Sequence, residues 1–316
     1  VKAARAHLKA AEQAVLLDAV DAYSNVLEKQ SVVALTKNNL SVLSKQFEAT
    51  QARFEVGELT QTDVAQSKAR LSLAQAELIQ AEGDLKTAIA NFARVMGYQP
   101  NNLLDAAAMP ALPMTLEEAK TLALKHNPDV VMTQHIQKAN AYVTKSRMGV
   151  LLPEVSVNGS MNRSDDTGFL GSFDNDTITL DVAIPLYQTG AEYSRIRAAK
   201  AEYQRSRHTH QDIKNNAEES ATRAFADYQT ALTVNASTKD AIAAAQLARD
   251  GVVQENEFGL RTILDVLDAE QELFENNVNL VRAERGKTLA AYQLLAATGR
   301  LTAQNLQLPV TLYDNE

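Results

Sequence analysis

The chain has no cysteine and no tryptophan, and aromatic residues make up only 5% of its 316 positions. The first absence excludes disulfides and thiolate metal sites. The second, in a chain rich in Ala, favours long helices packed through small side chains over a globular core built on large rings. Glycine and proline are scarce, at 12 and 7 residues, and their spacing argues against two ordinary compact domains. Basic residues do not dominate either. With 31 Lys and Arg against 39 Asp and Glu the net charge is −8, so no nucleic-acid partner is expected. No apolar run approaches the ~20 residues of a membrane-spanning helix. The opening stretch VKAARAHLKA lacks a signal-peptide pattern and reads as the middle of a helix, so a processed or truncated start is expected.

Enzyme signatures are missing as well. There is no P-loop, no dinucleotide fingerprint, no nucleophile elbow and no cysteine nucleophile. His208 and His210 lie two apart on a helical stretch and point to different sides, a poor metal pair, while His7, His126 and His135 are isolated. The reading is a protein that is not an enzyme, with no cofactor and no metal.

What is present is a repeat. Phe54–Gln66 (FEVGELTQTDVAQ) and Asn256–Asp268 (NEFGLRTILDVLD) align at an offset of 202 residues. Gly57 then meets Gly259, Thr60 meets Thr262, Asp63 meets Asp265, Val64 meets Val266, Leu71 meets Leu273 and Gly97 meets Gly299. Residues 1–56 and 191–250 contain neither Gly nor Pro, so each predicts one very long helix, the second spanning roughly 90 Å. Gly57 and Gly259 end those helices in the left-handed conformation. Thr60-x-x-Asp63 opens the next helix with a cap and a carboxylate at the third position, and Thr262-x-x-Asp265 repeats the pattern.

Beyond each joint runs a heptad. Val64, Leu71, Leu78, Leu85 and Phe92 are followed three residues later by Ser67, Ala74, Ala81, Ala88 and Val95, one large and one small residue per heptad. Val266, Leu273, Leu280, Lys287 and Leu294 begin the second copy, with Lys287 and Asn276 as polar exceptions. Gly83 and Gly286 interrupt these helices singly, each at about 1 kcal/mol relative to Ala. A proline-bearing connector leads to a short helix over Thr115–His126 and another from Pro128 to about Val150. The period then changes to two. Val155–Asn162 and Thr177–Leu186 alternate apolar and polar residues and predict two strands, each long enough for a tilted membrane-spanning strand. Tyr187 sits where an aromatic girdle belongs.

The organisation follows. Residues 1–97 form a first-repeat helix pair and 98–127 a connector. Residues 128–299 form a second repeat, with a hairpin over 153–187 and a long helix pair over 189–298, and 300–316 form a C-terminal tail. Residues 115–202 of the second half have no counterpart in the first, so roughly 90 residues of a complete first repeat are expected to be lacking at the start. The fold class is mainly α with a β-hairpin.

A tandem array of strands, long helix, glycine joint and long helix resembles the TolC family of outer-membrane efflux and secretion channels. Leu152-Pro153-Glu154-Val155 and Ile184-Pro185-Leu186-Tyr187-Gln188-Thr189-Gly190 look like its strand-start and strand-to-helix motifs. Val56-Gly57-x-Leu59-Thr60 and Gly259-x-Arg261-Thr262-x-x-Asp265-Val266-Leu267-Asp268 look like its two helix-turn tips. The resemblance covers essentially the whole chain. It implies long antiparallel coiled-coil helices forming an α-barrel, with strands contributed to a β-barrel shared by three protomers. It implies a homotrimer in contact with outer-membrane lipid, docked to a periplasmic adaptor and through it to an inner-membrane pump. The function implied is the exit duct of a tripartite efflux pump or type I secretion system in a Gram-negative bacterium. With two of four strands, this stretch alone would leave an open sheet edge, which lipid does not tolerate.

The same resemblance implies roles for single residues. Asp265 and Asp268 share a helix face and match aspartate rings that narrow the periplasmic entrance, where repulsion would raise some pKa values and attract cations. Asp265 also reads simply as a helix-start residue. Asp268 lies too deep for capping, and its counterpart is Gln66. Arg261 matches a gate arginine linked to a neighbouring joint at the positions of Thr62 and Asp63, or is a solvated tip residue. A second family link uses tyrosine where this chain has Asn256, a departure that weakens or removes it. Val56, Gly57, Leu59, Thr60, Gly259, Leu260 and Thr262 match the adaptor-contacting tips. The competing reading of the whole is a coiled-coil rod that binds partners. The period-two segments speak against it, because a rod has no use for an amphipathic hairpin between long helices.

Overall fold

The computed structural model describes residues 1–101, 103, 111–164, 173–187 and 189–310. The hairpin loop, Gln188 of the strand-to-helix motif, part of the connector and the end of the C-terminal tail lie outside the described residues.

Among the described residues, six helices and one hairpin follow in order. They are α1 (Lys2–Glu55), α2 (Gln61–Met96), α3 (Leu116–His126), α4 (Pro128–Gly149), β1 (Glu154–Ser164), β2 (Phe173–Ala183), α5 (Ala191–Glu257) and α6 (Ile263–Ala297). The chain divides into two compact units, residues 1–6 with 129–215, and residues 7–128 with 216–316.

α4, which from Asp129 onward belongs to the first unit, starts on Pro128, whose missing N–H is no loss at a helix's first position. Thr144 Oγ1 donates to the Ala199 carbonyl at 3.2 Å, and Thr133 Oγ1 lies 3.0 Å from His210 Nδ1, so two hydroxyls tie α4 to α5. His210 is thus a packing residue, and its burial holds its pKa below the usual histidine range.

The strands pair antiparallel, Glu154 opposite Ala183 through Ser164 opposite Phe173. Val155 faces Val182, Val157 faces Leu180 and Gly159 faces Ile178, so the apolar residues share one face. On the other, Asn158 Nδ2 donates to Asp181 Oδ2 at 2.9 Å. The second strand is shifted from its sequence expectation. It begins at Phe173, because Asp174–Asp176 pair with Met161–Arg163 through backbone groups that hydropathy does not register. It ends at Ala183, since Pro185 has no N–H to continue a ladder.

In α2 the small heptad positions are the buried ones, whereas in α6 the large ones, Val266, Leu273 and Leu294, are enclosed. Ser67, Ala74, Ala81 and Ala88 of α2 are enclosed, while Val64, Leu71, Leu78 and Leu85 stay half-buried. Close backbone approach therefore holds this seam, anchored by a few large side chains. Phe92 is fully enclosed with Ala22, Val26 and Ala88, a burial worth roughly 1.5–3 kcal/mol. Tyr98 meets it edge-on, with ring centroids 5.7 Å apart. A second cluster joins Leu43, Ala74, Ile263, Val266 and Leu267, and a third joins Ala119, Ala224 and Leu294.

The helix ends repeat as their glycines do. Gly97 and Gly299 both take positive φ, 80° and 72°. Only Gly299 is also crowded: a β-carbon there would lie 2.2 Å from the His126 carbonyl oxygen. That close approach seats the end of α3 on the end of α6. α5 runs unbroken through Gly251 to Glu257 and ends where Gly259 turns the chain.

Candidate functional site: the two glycine joints

Both joints close with one backbone pattern. Gly57 N–H donates to the Phe54 carbonyl and Glu58 N–H to the Arg53 carbonyl, each at 2.9 Å. At the same offset, Gly259 donates to Asn256 at 2.9 Å and Leu260 to Glu255 at 2.8 Å. The bond reaching back five residues belongs to the Schellman turn, which needs a left-handed residue, and Gly57 (φ 83°) and Gly259 (φ 72°) supply it.

The next helices start on complete capping boxes. Asp63 Oδ2 accepts from the Thr60 N–H and hydroxyl at 2.9 and 2.8 Å, and the Asp63 N–H returns to Thr60 Oγ1 at 3.3 Å. Thr262 and Asp265 repeat this at 2.8, 2.7 and 3.2 Å. The Thr262 hydroxyl, then its backbone N–H, and at longer range Arg261 hold the Asp265 carboxyl below the usual aspartate range. Within one chain the direction is thus opposite to the rise expected from repulsion in a ring.

Each joint is also clasped by an ion pair. Arg53 Nε meets Glu58 Oε2 at 3.1 Å in the first, and Arg261 Nε meets Glu255 Oε2 at 2.7 Å in the second. Arg53 and Glu255 are equivalent positions, so the two clasps have opposite polarity. The Glu255 carboxylate, with Asp265 behind it, raises the Arg261 pKa further, so its charge is permanent. Arg53 Nη1 also lies 3.5 Å from Asn256 Oδ1, while Asn256 Nδ2 donates to the Arg261 carbonyl at 2.8 Å. Asn256, the position that departs from the family's tyrosine, therefore fastens its own joint and touches the other.

The named residues gather only in part. Arg261 is not brought to Thr62 or Asp63 within the chain; its partner is Glu255, and Asp63 serves its own cap. Asp268 stands apart from Asp265 in its contacts, with Arg70 Nη2 2.6 Å from its Oδ1. Val56 and Leu260 are exposed at the tips, Gly57, Thr60, Gly259 and Thr262 are accessible beside them, and Leu59 is half-buried. Sequence reasoning passed over Arg53, Glu58, Arg70, Glu255 and Phe258. Phe258 is 80% exposed and occupies the place of Val56, so the offset alone could have found it. Among the described residues no three His, Asp or Glu side chains converge as metal ligands, and no helix is long and apolar enough to cross a membrane.

An apolar-faced hairpin leading into long helices that turn at capped glycine joints is the build of an α-barrel channel protomer. The chain belongs to the outer membrane efflux protein family, whose model matches residues 1–98 and 121–300. It is 36% identical over 318 residues to the outer membrane efflux protein BepC of Brucella suis, covering all of this chain and 70% of that one. It is 24% identical to the alkaline protease secretion protein AprF of Pseudomonas aeruginosa, over 94% of this chain and 63% of the relative. Its fold matches the crystal structure of the outer membrane protein VceC from Vibrio cholerae, with a TM-score of 0.79 and 21% identity over 94% of this chain and 72% of that one. The family consists of channel proteins rather than enzymes, and it places the chain in the Gram-negative outer membrane with a periplasmic extension.

Proposed function

We propose that this chain is the protomer of a homotrimeric exit duct serving a tripartite efflux pump or type I secretion system, gated where its glycine joints meet. The observation that carries this reading is the pair of joints, alike in backbone and caps but unequal in charged side chains. Three chains would bring Asp265 and Asp268 together as six carboxylates around one axis, a ring that draws cations. Arg261 is the gate residue, and its ion pair with Glu255 keeps it at the tip, within reach of a neighbouring joint at Thr62 and Asp63. The exposed Val56, Phe258 and Leu260 are the surface offered to the hairpin tips of a periplasmic adaptor.

The test has two parts. A strain deleted for the gene and complemented with the full-length protein regains export, and a Gly259→Trp variant that still forms trimers does not. In planar bilayers, Asp265→Asn with Asp268→Asn weakens block by polyvalent cations. Unchanged block would remove the ring, and full export by the tryptophan variant would remove docking at the tip.

A further inference from the structure

Asp268 lies one helical turn beyond Asp265, yet a different element holds it. Asp265 is bound by its own cap, whereas Asp268 is met by Arg70 from α2, Nη2 to Oδ1 at 2.6 Å. The pair crosses from one repeat to the other, and the repeat supplies no second copy of it, because the equivalent positions are Gln66 and Glu272. Its partners are unequally enclosed: the Arg70 side chain is 33% exposed and that of Asp268 57%. The guanidinium thus reaches Asp268 from its more sheltered side and leaves the carboxylate open to water on the other. Two turns further along α2, burial and then Glu275 raise the Glu77 pKa, and Arg70 opposes them. Arg70 is therefore a cation facing carboxylates from both α2 and α6.

We infer that Arg70 is a selectivity-determining residue of the duct's entrance, which neutralises Asp268 and fastens α6 to α2 just behind the second joint. This rests on the reading of Asp265 and Asp268 as an entrance ring. A cation drawn to that ring competes with a guanidinium already bonded to one carboxylate of each chain, so the ring's effective charge is lower than its count of aspartates. The pair also couples charge to position. Moving α6 away from α2 breaks it, and the freed carboxylate then strengthens the ring as the joint shifts.

The experiment is single-channel recording of the full-length protein with hexaamminecobalt(III) as the blocking probe. Arg70→Gln is expected to lower the blocking concentration on the order of tenfold, three released carboxylates acting together. Arg70→Lys keeps the charge and should lie between that variant and the parent. Adding Asp268→Asn to Arg70→Gln should return the block to the parent level or weaker. If Arg70→Gln leaves the block unchanged while Asp265→Asn weakens it, the ring stands and the role of Arg70 is overturned. If neither Asp265→Asn nor Asp268→Asn alters the block, the ring itself fails and this inference falls with it. Heat-resistant trimers on gels, scored for every variant, separate these results from misfolding.

Discussion

The two joints share both their backbone bonds and their cap bonds to within 0.1 Å, yet their ion pairs run in opposite directions. The first presents Arg53 from the outgoing helix and Glu58 beyond the glycine; the second presents Glu255 and Arg261 in those roles. The shared part is what any turn between two helices needs: a left-handed glycine and acceptors for the first N–H groups. The part that differs is free to vary, and there the second joint gained Arg261, Asp268 and the contact to Arg70. The turn's architecture is thus separable, residue by residue, from the charged side chains on which the proposed gate rests.

Substitutions at equivalent positions can break this comparison. The largest difference is expected at the far ends of α2 and α6. Gly299→Ala drives a methyl into the His126 carbonyl at a positive φ, a clash costing about 3 kcal/mol or more, while Gly97→Ala meets no neighbour and bears only the conformational penalty of about 1 kcal/mol. Thermal unfolding of the two variants measures the gap, and equal losses would show that the close approach is not what Gly299 serves. Next come the caps. Thr60→Ala and Thr262→Ala should each cost about 1 kcal/mol and by similar amounts, since the boxes are alike.

Acid sharpens the second cap. The carboxyl of Asp265 is held down in the folded chain, so its contribution is complete above the ordinary aspartate range and is lost as pH falls through its lowered value. Amide exchange at Thr262, whose N–H the carboxylate accepts, should lose its protection only at a pH below that at which an ordinary aspartate protonates. Smallest in stability, and most specific in function, are the clasps. Arg261→Ala should leave the unfolding temperature almost unchanged and raise single-channel conductance, whereas Arg53→Ala should change conductance less. Equal conductance changes would make the two clasps interchangeable and remove the distinction between the joints.

Much of this was legible in the chain because it is local. The glycine turns, both Thr-x-x-Asp starts and the opening of α4 on Pro128 follow from a few adjacent residues each. The apolar alternation of the hairpin was legible too. Its end at Ala183 was less so, because Ile184 and Leu186 continue the alternation and only Pro185 stops the ladder. The clasps escaped because Arg53 and Glu58 are five apart, a spacing with no meaning on a helix until the turn between them is in place. Arg70 and Asp268 are 198 residues apart, and neither position alone suggests the other. The heptad marked the right helix faces but not which of its two positions would be enclosed. With α2 packed through Ser67, Ala74, Ala81 and Ala88, its larger residues are left half-buried beside them.

The hairpin's exposed face bears on how each part of the molecule is completed. Val155, Val157, Met161, Ile178, Leu180 and Val182 are each between 56% and 84% exposed, on strands that each have one backbone partner within the described residues. The helical clusters around Phe92, Leu267 and Leu294 need nothing beyond their own chain to close. In water, by contrast, such an apolar edge is a template for unwanted pairing. The helical clusters can therefore close within one chain, whereas the hairpin's apolar face and open backbone groups are satisfied only by lipid and by further strands.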